Sequence, residues 1–184
     1  MDKIPVNEQT LIAGCRHNKA SAQKQIYELY APRMLGVCVR YVGNAETARD
    51  VLQEGFIKLF AKIGTYAGGS FYAWTRRIFV NTALETLRRQ NVLRFAQNID
   101  DYNEVFEDAD PSIADKISAN DLMNHVAALP EGYRTVFNLY AIEGYSHAEI
   151  GAMLKIGEST SRSQFSKARK LLREKIEKDH ARQQ

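Results

Sequence analysis

Hydrogen-bond donors suited to phosphate groups and base edges are concentrated near the C-terminal end of the sequence. At helical spacing they share one face, opposite the apolar residues Phe165, Ala168 and Leu172. The members of this basic face are Arg162, Ser163, Lys167, Arg169 and Lys170. Cationic and hydroxyl side chains bind DNA phosphates and the base edges exposed in the major groove. The pattern predicts nucleic-acid binding, with a solvated basic face as the alternative.

The segment before this face contains the elements that would position it. The run SHAE, from Ser146 to Glu149, has the spacing of a capping box and so begins a helix. Gly157 can adopt the left-handed conformation that ends a helix, so the turn is expected at Lys155 to Glu158. The basic helix would then begin at Ser159 or Thr160. A capped helix, a glycine turn and a basic second helix are typical of a helix-turn-helix, and a plain helical hairpin is the alternative.

A second group of candidates follows a glycine-rich break at Gly64 to Ser70. The stretch from Arg76 to Arg94 holds five arginines against one glutamate, and aromatic residues lie just before it. Rings can stack on unpaired bases while cations hold the backbone. The aromatic candidates are Tyr66, Phe71 and Tyr72, and the exposed polar side is predicted to carry Arg76, Arg77, Asn81, Arg88 and Arg89. The alternative places these rings in the protein core.

A third candidate surface is acidic. The stretch from Ala45 to Ile63 has the apolar period of an amphipathic helix, with Gly55 allowing the close approach of a neighbour. On the polar side Glu46, Asp50 and Glu54 recur at four-residue steps, with Gln53 beside them. The pattern alone favours a solvated face over a docking surface for a basic partner.

Catalysis and cofactor binding have little support in the residue pattern. The histidines, His17, His125, His147 and His180, are scattered and lack the spacing of metal ligands. The glycine-rich break lacks the phosphate-loop pattern, and no nucleophile elbow or dinucleotide fingerprint is present. Two cysteines, Cys15 and Cys38, cannot form a disulfide framework and are expected to be small reduced residues. No metal, no cofactor and no enzymatic activity are therefore expected.

The domain organisation follows from the helical period of nearly every segment. The sequence predicts an all-α fold with two small helical domains, 1–95 and 119–184, joined by an acidic linker at 96–118. The stretch from Ile99 to Asp121 holds eight acidic residues and one lysine. Pro32 is expected to kink or divide the predicted helix from Ala20 to Val42. With no secretory signal and no apolar stretch long enough to span a bilayer, the chain is expected to be cytoplasmic.

Three of these segments together resemble an extracytoplasmic-function (ECF) sigma factor, a small two-domain class of bacterial RNA polymerase subunit in the sigma-70 family. ETARDVLQEGFIKLF resembles the helix that docks on core polymerase, and GGSFYAWTRRIFVNTALETLRR resembles the segment that melts and reads the minus-ten element. LPEGYRTVFNLYAIEGYSHAEIGAMLKIGESTSRSQFSKARKLL resembles the domain that reads the minus-thirty-five element. The resemblance implies that 1–95 is sigma region 2 and 119–184 is sigma region 4.

The resemblance also implies roles for individual residues. The polymerase-docking residues would be Asp50, Gln53, Glu54 and Glu46. The minus-ten contacts would be Asn81, Arg77, Arg88, Arg89, Tyr66 and Phe71. The minus-thirty-five contacts would be Arg162, Ser163, Ser166, Lys167, Arg169 and Ser161. Because Ser159-Thr160-Ser161 replaces the family's more usual glycine-threonine-valine-like triplet, the minus-thirty-five sequence cannot be taken from another member.

The implied function is binding rather than catalysis. The chain would bind core RNA polymerase at the clamp helices of its largest subunit, together with promoter DNA. It would use no small-molecule substrate, and the family leads us to expect an anti-sigma partner, often membrane-anchored. A dimeric helix-turn-helix regulator that binds operator DNA without polymerase is the main alternative. An enzyme with a DNA-binding tail is a third.

Overall fold

The computed structural model describes residues 7–89 and 119–182, and this part of the chain contains helices and no strand. The bounds are α1 Glu8–Arg16, α2 Ala20–Val42, α3 Ala45–Lys62, α4 Phe71–Arg89, α5 Ala119–Ala127, α6 Glu131–Phe137, α7 His147–Leu154 and α8 Glu158–Arg182. A 3-10 turn, Ile63–Thr65, follows α3, and a π-helical segment, Asn138–Ile142, continues α6. The all-α prediction is confirmed. The predicted linker, 96–118, lies outside the described residues.

The chain divides into two compact units, Met1–Leu87 and Arg88–Gln184. In the first, α2 packs against α1 and α3, and the fully buried side chains include Ile26, Met34 and Leu59. Both cysteines are free and buried, as expected. Apolar packing of long amphipathic helices therefore holds this unit together.

Gly55 of α3 lets the Phe79 side chain of α4 approach closely, in agreement with the close neighbour that the sequence predicted. A Cβ atom at this position would lie only 2.4 Å from Cε1 of Phe79. The ring of Phe79 is completely buried, and it meets the ring of Phe56 edge to face at a centroid distance of 5.1 Å. The absent side chain thus creates the space in which an aromatic residue fixes the two helices.

Local signals set the ends of these helices. Gly43 adopts φ 70° after α2, and the side chain of Asn44 accepts hydrogen bonds from the backbone N–H groups of Glu46 and Thr47 at the start of α3. Asparagine at this position satisfies amides that the first turn leaves without partners. Of the two effects predicted for Pro32, a kink or a division of the helix, the structure rules out the division, because a single helix runs through Pro32.

In the second unit, α5, α6 and α8 enclose an apolar core formed by Val126, Leu129, Ala168 and Leu172. Arg134, 5 % exposed, lies beside this core. Its guanidinium donates to the carbonyl oxygen of Ala127 at 2.8 Å. A buried cation thus satisfies a carbonyl at the end of α5 and fixes the turn into α6.

Candidate nucleic-acid and polymerase interfaces

The predicted capping box is present at the start of α7. The backbone N–H and the hydroxyl of Ser146 donate to Oε2 of Glu149 at 2.8 and 2.7 Å, and the Glu149 N–H donates back to the serine Oγ at 3.3 Å. These hydrogen bonds from Ser146 hold the pKa of the Glu149 carboxyl below its usual value. The first helix of the helix-turn-helix therefore begins at the residue that the sequence indicated.

The turn between α7 and α8 differs in detail from the prediction. The left-handed residue is Lys155, at φ 57°, rather than Gly157, and α8 begins at Glu158 rather than at Ser159 or Thr160. The tight turn instead depends on Gly151, where a Cβ atom would lie 2.9 Å from the carbonyl oxygen of Ile156. The chain reverses so closely over α7 that this position has no room for a side chain.

The outward face of α8 carries most of the predicted minus-thirty-five residues. Arg162 and Ser163 are exposed, whereas Ser166, Lys167 and Arg169 are half-buried. The guanidinium of Arg162 pairs with Glu158 one turn earlier at 2.5 Å, and that of Arg169 lies 5.8 Å from the centroid of the Phe165 ring. These local contacts orient long cationic side chains along the helix surface.

Ser161 does not belong to this face, which corrects the prediction for it. Its side chain is fully buried, and its Oγ shares a hydrogen bond of 2.9 Å with Nδ1 of His147. It lies on the inward side of α8 with Gln164, Ala168 and Leu172, which follow it by three, seven and eleven residues. Residues at these spacings share one side of a helix. Direct contact with DNA is incompatible with this burial.

His147 occupies an aromatic cluster that sequence reasoning did not identify. The imidazole is 8 % exposed and stacks on the ring of Tyr140 at 4.3 Å with an interplanar angle of 11°. Burial, and then the nearby Arg162 guanidinium, lower its pKa despite the opposing effect of Glu158. This buried, stacked environment indicates a structural role for His147. The π-helical segment that places Tyr140 here had no clear sequence signal.

On α4, the predicted minus-ten residues form an exposed stripe. Arg77, Asn81 and Arg88 lie at positions i, i+4 and i+11, which share one helix face, and all three are exposed. Arg89 is exposed as well, on the adjoining side. The structure thus brings an amide and three guanidinium groups to the surface of one helix.

Tyr66 and Phe71, by contrast, are core residues, which corrects their predicted stacking on bases. Tyr66 is 6 % and Phe71 1 % exposed, and their rings meet edge to face at 5.2 Å. The hydroxyl of Tyr66 donates to the Gly69 carbonyl at 2.6 Å, and its own carbonyl accepts from Arg16 of α1. These two side chains therefore hold the loop between α3 and α4 in shape, and their faces are unavailable to an unpaired base.

The acidic face of α3 is exposed at Glu46, Asp50 and Gln53. Glu54 is half-buried because its carboxylate pairs with Lys58 at 2.8 Å. Lys58 also pairs with Glu85 of α4 at 2.6 Å. Burial disfavours the charged ammonium, but both carboxylates together raise the pKa of Lys58. The predicted face is thus accessible at three of its positions and tied to α4 at the fourth.

Sequence reasoning missed an exposed apolar residue at the C-terminal edge of this acidic face. Ile57 is 69 % exposed, although isoleucine is usually buried. It lies four residues after Gln53 and seven after Asp50, on the same side of α3. Its position outside the apolar stripe of the helix was the available signal.

Comparison with known proteins agrees with the order of these elements. Residues 26–108 match the family model for Sigma-70 region 2, and residues 119–172 match the model for Sigma-70, region 4. The chain belongs to the sigma-70 family, in its ECF class. The predicted resemblance is confirmed, and the two matched regions favour a sigma factor over a dimeric regulator.

Curated relatives of this sigma factor have the same assignment. It is 33 % identical over 157 residues to the ECF RNA polymerase sigma factor SigE of Mycolicibacterium smegmatis, covering 84 % of this chain and 61 % of that protein. It is 28 % identical over 176 residues to the RNA polymerase sigma-H factor of Pseudomonas aeruginosa, covering 90 % of this chain and 91 % of that one. The chain thus spans less than two thirds of the first relative and most of the second.

A solved structure shares the fold of the sigma factor. CnrH, solved in complex with the cytosolic domain of CnrY, matches with a TM-score of 0.50 and 20 % identity, over 94 % of this chain and 98 % of that one. Within residues 7–89 and 119–182, no helix is long and apolar enough to cross a membrane. The same residues contain no cluster of three or more side chains suited to hold a metal.

Proposed function

We propose that this chain is an alternative sigma factor that binds core RNA polymerase and directs promoter-specific transcription initiation. The observation that carries the proposal is the donor-rich outer face of α8, the second helix of a helix-turn-helix, in a chain that also matches region 2. Such a helix fits the major groove of duplex DNA. The chain would contribute binding and positioning, while polymerase performs the chemistry. Transcription initiation by this chain and polymerase would take place in the cytoplasm.

The acidic face of α3 would dock on the clamp helices of the largest polymerase subunit. Asp50 and Gln53 are exposed, and Ile57 adjoins them on the same side of α3, one turn nearer the C-terminus. A solvated acidic face needs no exposed large apolar residue next to it. A docking face benefits from one, because the polar side chains select the partner while the apolar group loses its water on contact.

The outer face of α8 would read the minus-thirty-five duplex. Arg162 and Lys167 are the candidates for base edges, because arginine and lysine bind guanine in the major groove. Ser163, Ser166 and Arg169 would contact phosphates or adjacent bases. Ser161 is left out of this set because it is buried.

The stripe on α4 would act on the minus-ten element. The carboxamide of Asn81 can both donate and accept, which suits the edge of an extruded base. Arg77, Arg88 and Arg89 would hold the backbone of the separated strand. Tyr66 and Phe71 would shape the neighbouring loop rather than stack on bases.

An anti-sigma protein is a further proposed partner. CnrH was solved with the cytosolic domain of CnrY, but at 20 % identity that structure shows the fold alone. For this chain the proposal rests on family membership. Such a partner would compete with core polymerase for α3 or for the DNA-binding faces.

Binding to purified bacterial core polymerase tests the proposal directly. The variant Asp50→Lys/Gln53→Lys changes the docking face while leaving the pairing of Glu54 with Lys58 intact. Native protein should bind tightly, and the variant should lose at least about tenfold in affinity. Glu28→Lys on α2, an exposed acidic residue away from α3, is the matched control and should bind like the native chain.

Each other outcome has a distinct meaning. Native-like binding by the double variant would keep the function and reject the docking face. Failure of both proteins to bind polymerase, with specific capture of two-fold operator DNA by the native chain alone, would establish the dimeric regulator instead.

A further inference from the structure

The helix proposed to read DNA carries, in its first turn, a buried polar residue that cannot reach DNA. Ser161 is fully buried in the first turns of α8, and its Oγ shares a 2.9 Å hydrogen bond with Nδ1 of His147, 14 residues earlier. His147 is itself the first residue of α7. One buried hydrogen bond therefore joins the start of the first helix of the helix-turn-helix to the start of the second.

The imidazole is held in one orientation by the rings around it. Tyr140, from the π-helical segment, stacks on it at 4.3 Å, and Phe165 of α8 lies at 5.8 Å with an interplanar angle of 59°. The capping box at Ser146 fixes the backbone just before it. Because the ring and the backbone of His147 are both fixed, its Nδ1 atom has a defined position. The hydrogen bond therefore requires the Ser161 hydroxyl to lie at a defined place.

The position of Ser161 matters because the residues that follow it on α8, Arg162 and Ser163, are proposed to face DNA. Successive residues of a helix are offset by about 100°, so an inward Ser161 places Ser163 near the opposite side and Arg162 between them. Farther along, the inward residues include Ala168 and Leu172, whose apolar contacts depend little on angle. A hydrogen bond can select one rotation of α8 about its axis where apolar contacts allow several.

We propose that His147, acting through Ser161, is a positioning residue that sets the rotation of α8 and thereby the minus-thirty-five base preference. This inference rests on the proposed function. It assigns Ser161 an indirect part in recognition, in place of the direct contact that its position in the sequence implied. Neither residue touches DNA, so both act by orienting Arg162, Ser163 and their neighbours toward the DNA.

Selection from a random duplex library by the reconstituted holoenzyme tests the inference. The variants are Ser161→Ala, which removes the hydroxyl, His147→Phe, which keeps a stacking ring and removes Nδ1, and His147→Asn, whose carboxamide can replace Nδ1. Base preference within the minus-thirty-five element should fall about fivefold or more for the first two variants, as expected for misaimed base contacts. Core polymerase affinity and minus-ten preference should stay unchanged.

Two further results are required. The double variant Ser161→Ala/His147→Phe should be no worse than either single variant, because both remove the same bond. His147→Asn should retain more of the base preference than His147→Phe, although it loses the ring stack. Thermal unfolding of each variant shows whether a lost base preference comes from an unfolded protein or from a folded protein whose DNA-contacting side chains are misoriented.

The inference is overturned if the variants show native base preference, or if total DNA binding falls with an unchanged preference profile. Additive losses in the double variant would also overturn it, since separate effects would then be acting. A native holoenzyme that selects no DNA sequence would instead contradict the proposed function, so the two failures are distinguishable.

Discussion

The two units hold their proposed binding surfaces in place by different means. In the first unit, α3 and α4 are held by Phe79 packed against Gly55 and Phe56, together with the ion pairs of Lys58. In the second, buried polar groups act alongside the apolar core, among them Arg134, His147 and Ser161. Apolar packing tolerates changes of pH, whereas a buried titratable hydrogen bond does not. We therefore expect the surface on α8 to be the more sensitive to conditions and the surfaces on α3 and α4 to be the more robust.

The largest expected effect concerns the aromatic packing of the first unit. Phe79→Ala removes a fully buried ring and should lower the free energy of unfolding of this unit by about 3–5 kcal/mol, through lost burial and the cavity left behind. Chemical denaturation monitored through Trp74, which lies on the same helix, would measure the change. Ile57→Ala, at a side chain 69 % exposed, is the control and should shift stability by no more than about 0.5 kcal/mol. Equal effects from both variants would mean that the first unit does not depend on this packing.

An intermediate effect is expected from the buried cation of the second unit. Arg134→Met keeps much of the side-chain volume but leaves the carbonyl of Ala127 without the guanidinium donor. Losing a charged hydrogen bond of this kind should lower stability by about 1.5–3 kcal/mol. Hydrogen exchange of amides in α5 and α6 would locate the loss, with Arg173→Met on the exposed side of α8 as the control. Unchanged exchange in the Arg134 variant would show that apolar contacts also dominate the second unit.

The smallest effect, and the most specific, is a pH dependence confined to the second unit. The pKa of His147 is lowered in the folded state, so above its ordinary value of 6.5 the imidazole is neutral whether folded or unfolded. As the pH falls below 6.5, the unfolded chain takes up the proton first, so stability contributed by the neutral buried ring is lost until the lower folded pKa is reached.

Hydrogen exchange at pH 7.5 and pH 5.5 would measure this loss in α7 and α8. His147→Phe should remove most of the difference between the two pH values. A pH dependence that survives this substitution would assign the effect to another group. An equal response in α2 and α3 would remove the contrast between the two units.

Local sequence patterns predicted much of this structure. The bounds of α2 and the start of α3 followed from the helical period of the sequence, because helix formation depends on neighbours within one or two turns. The capping box at Ser146 was predictable for the same reason. The family was identifiable because its motifs occur in the same order along the chain.

The errors fall where packing overrides the local pattern. Lys155 rather than Gly157 takes the left-handed conformation, and the carbonyl oxygen of Ile156 lies where a side chain at Gly151 would be. Tyr66 and Phe71 have the composition of a base-stacking surface, but their rings pack on each other and are buried.

The sequence by itself determined the helices, their polar and apolar faces, and the family. Tertiary structure alone decided which polar residues face inward, since that depends on partners supplied by other helices. Ser161 shows the distinction: its neighbours in the sequence predict contact with DNA, and its hydrogen bond to His147 places it in the core. Helical period specifies an angle around the helix axis, but only packing against α5, α6 and α7 specifies which angle points to solvent.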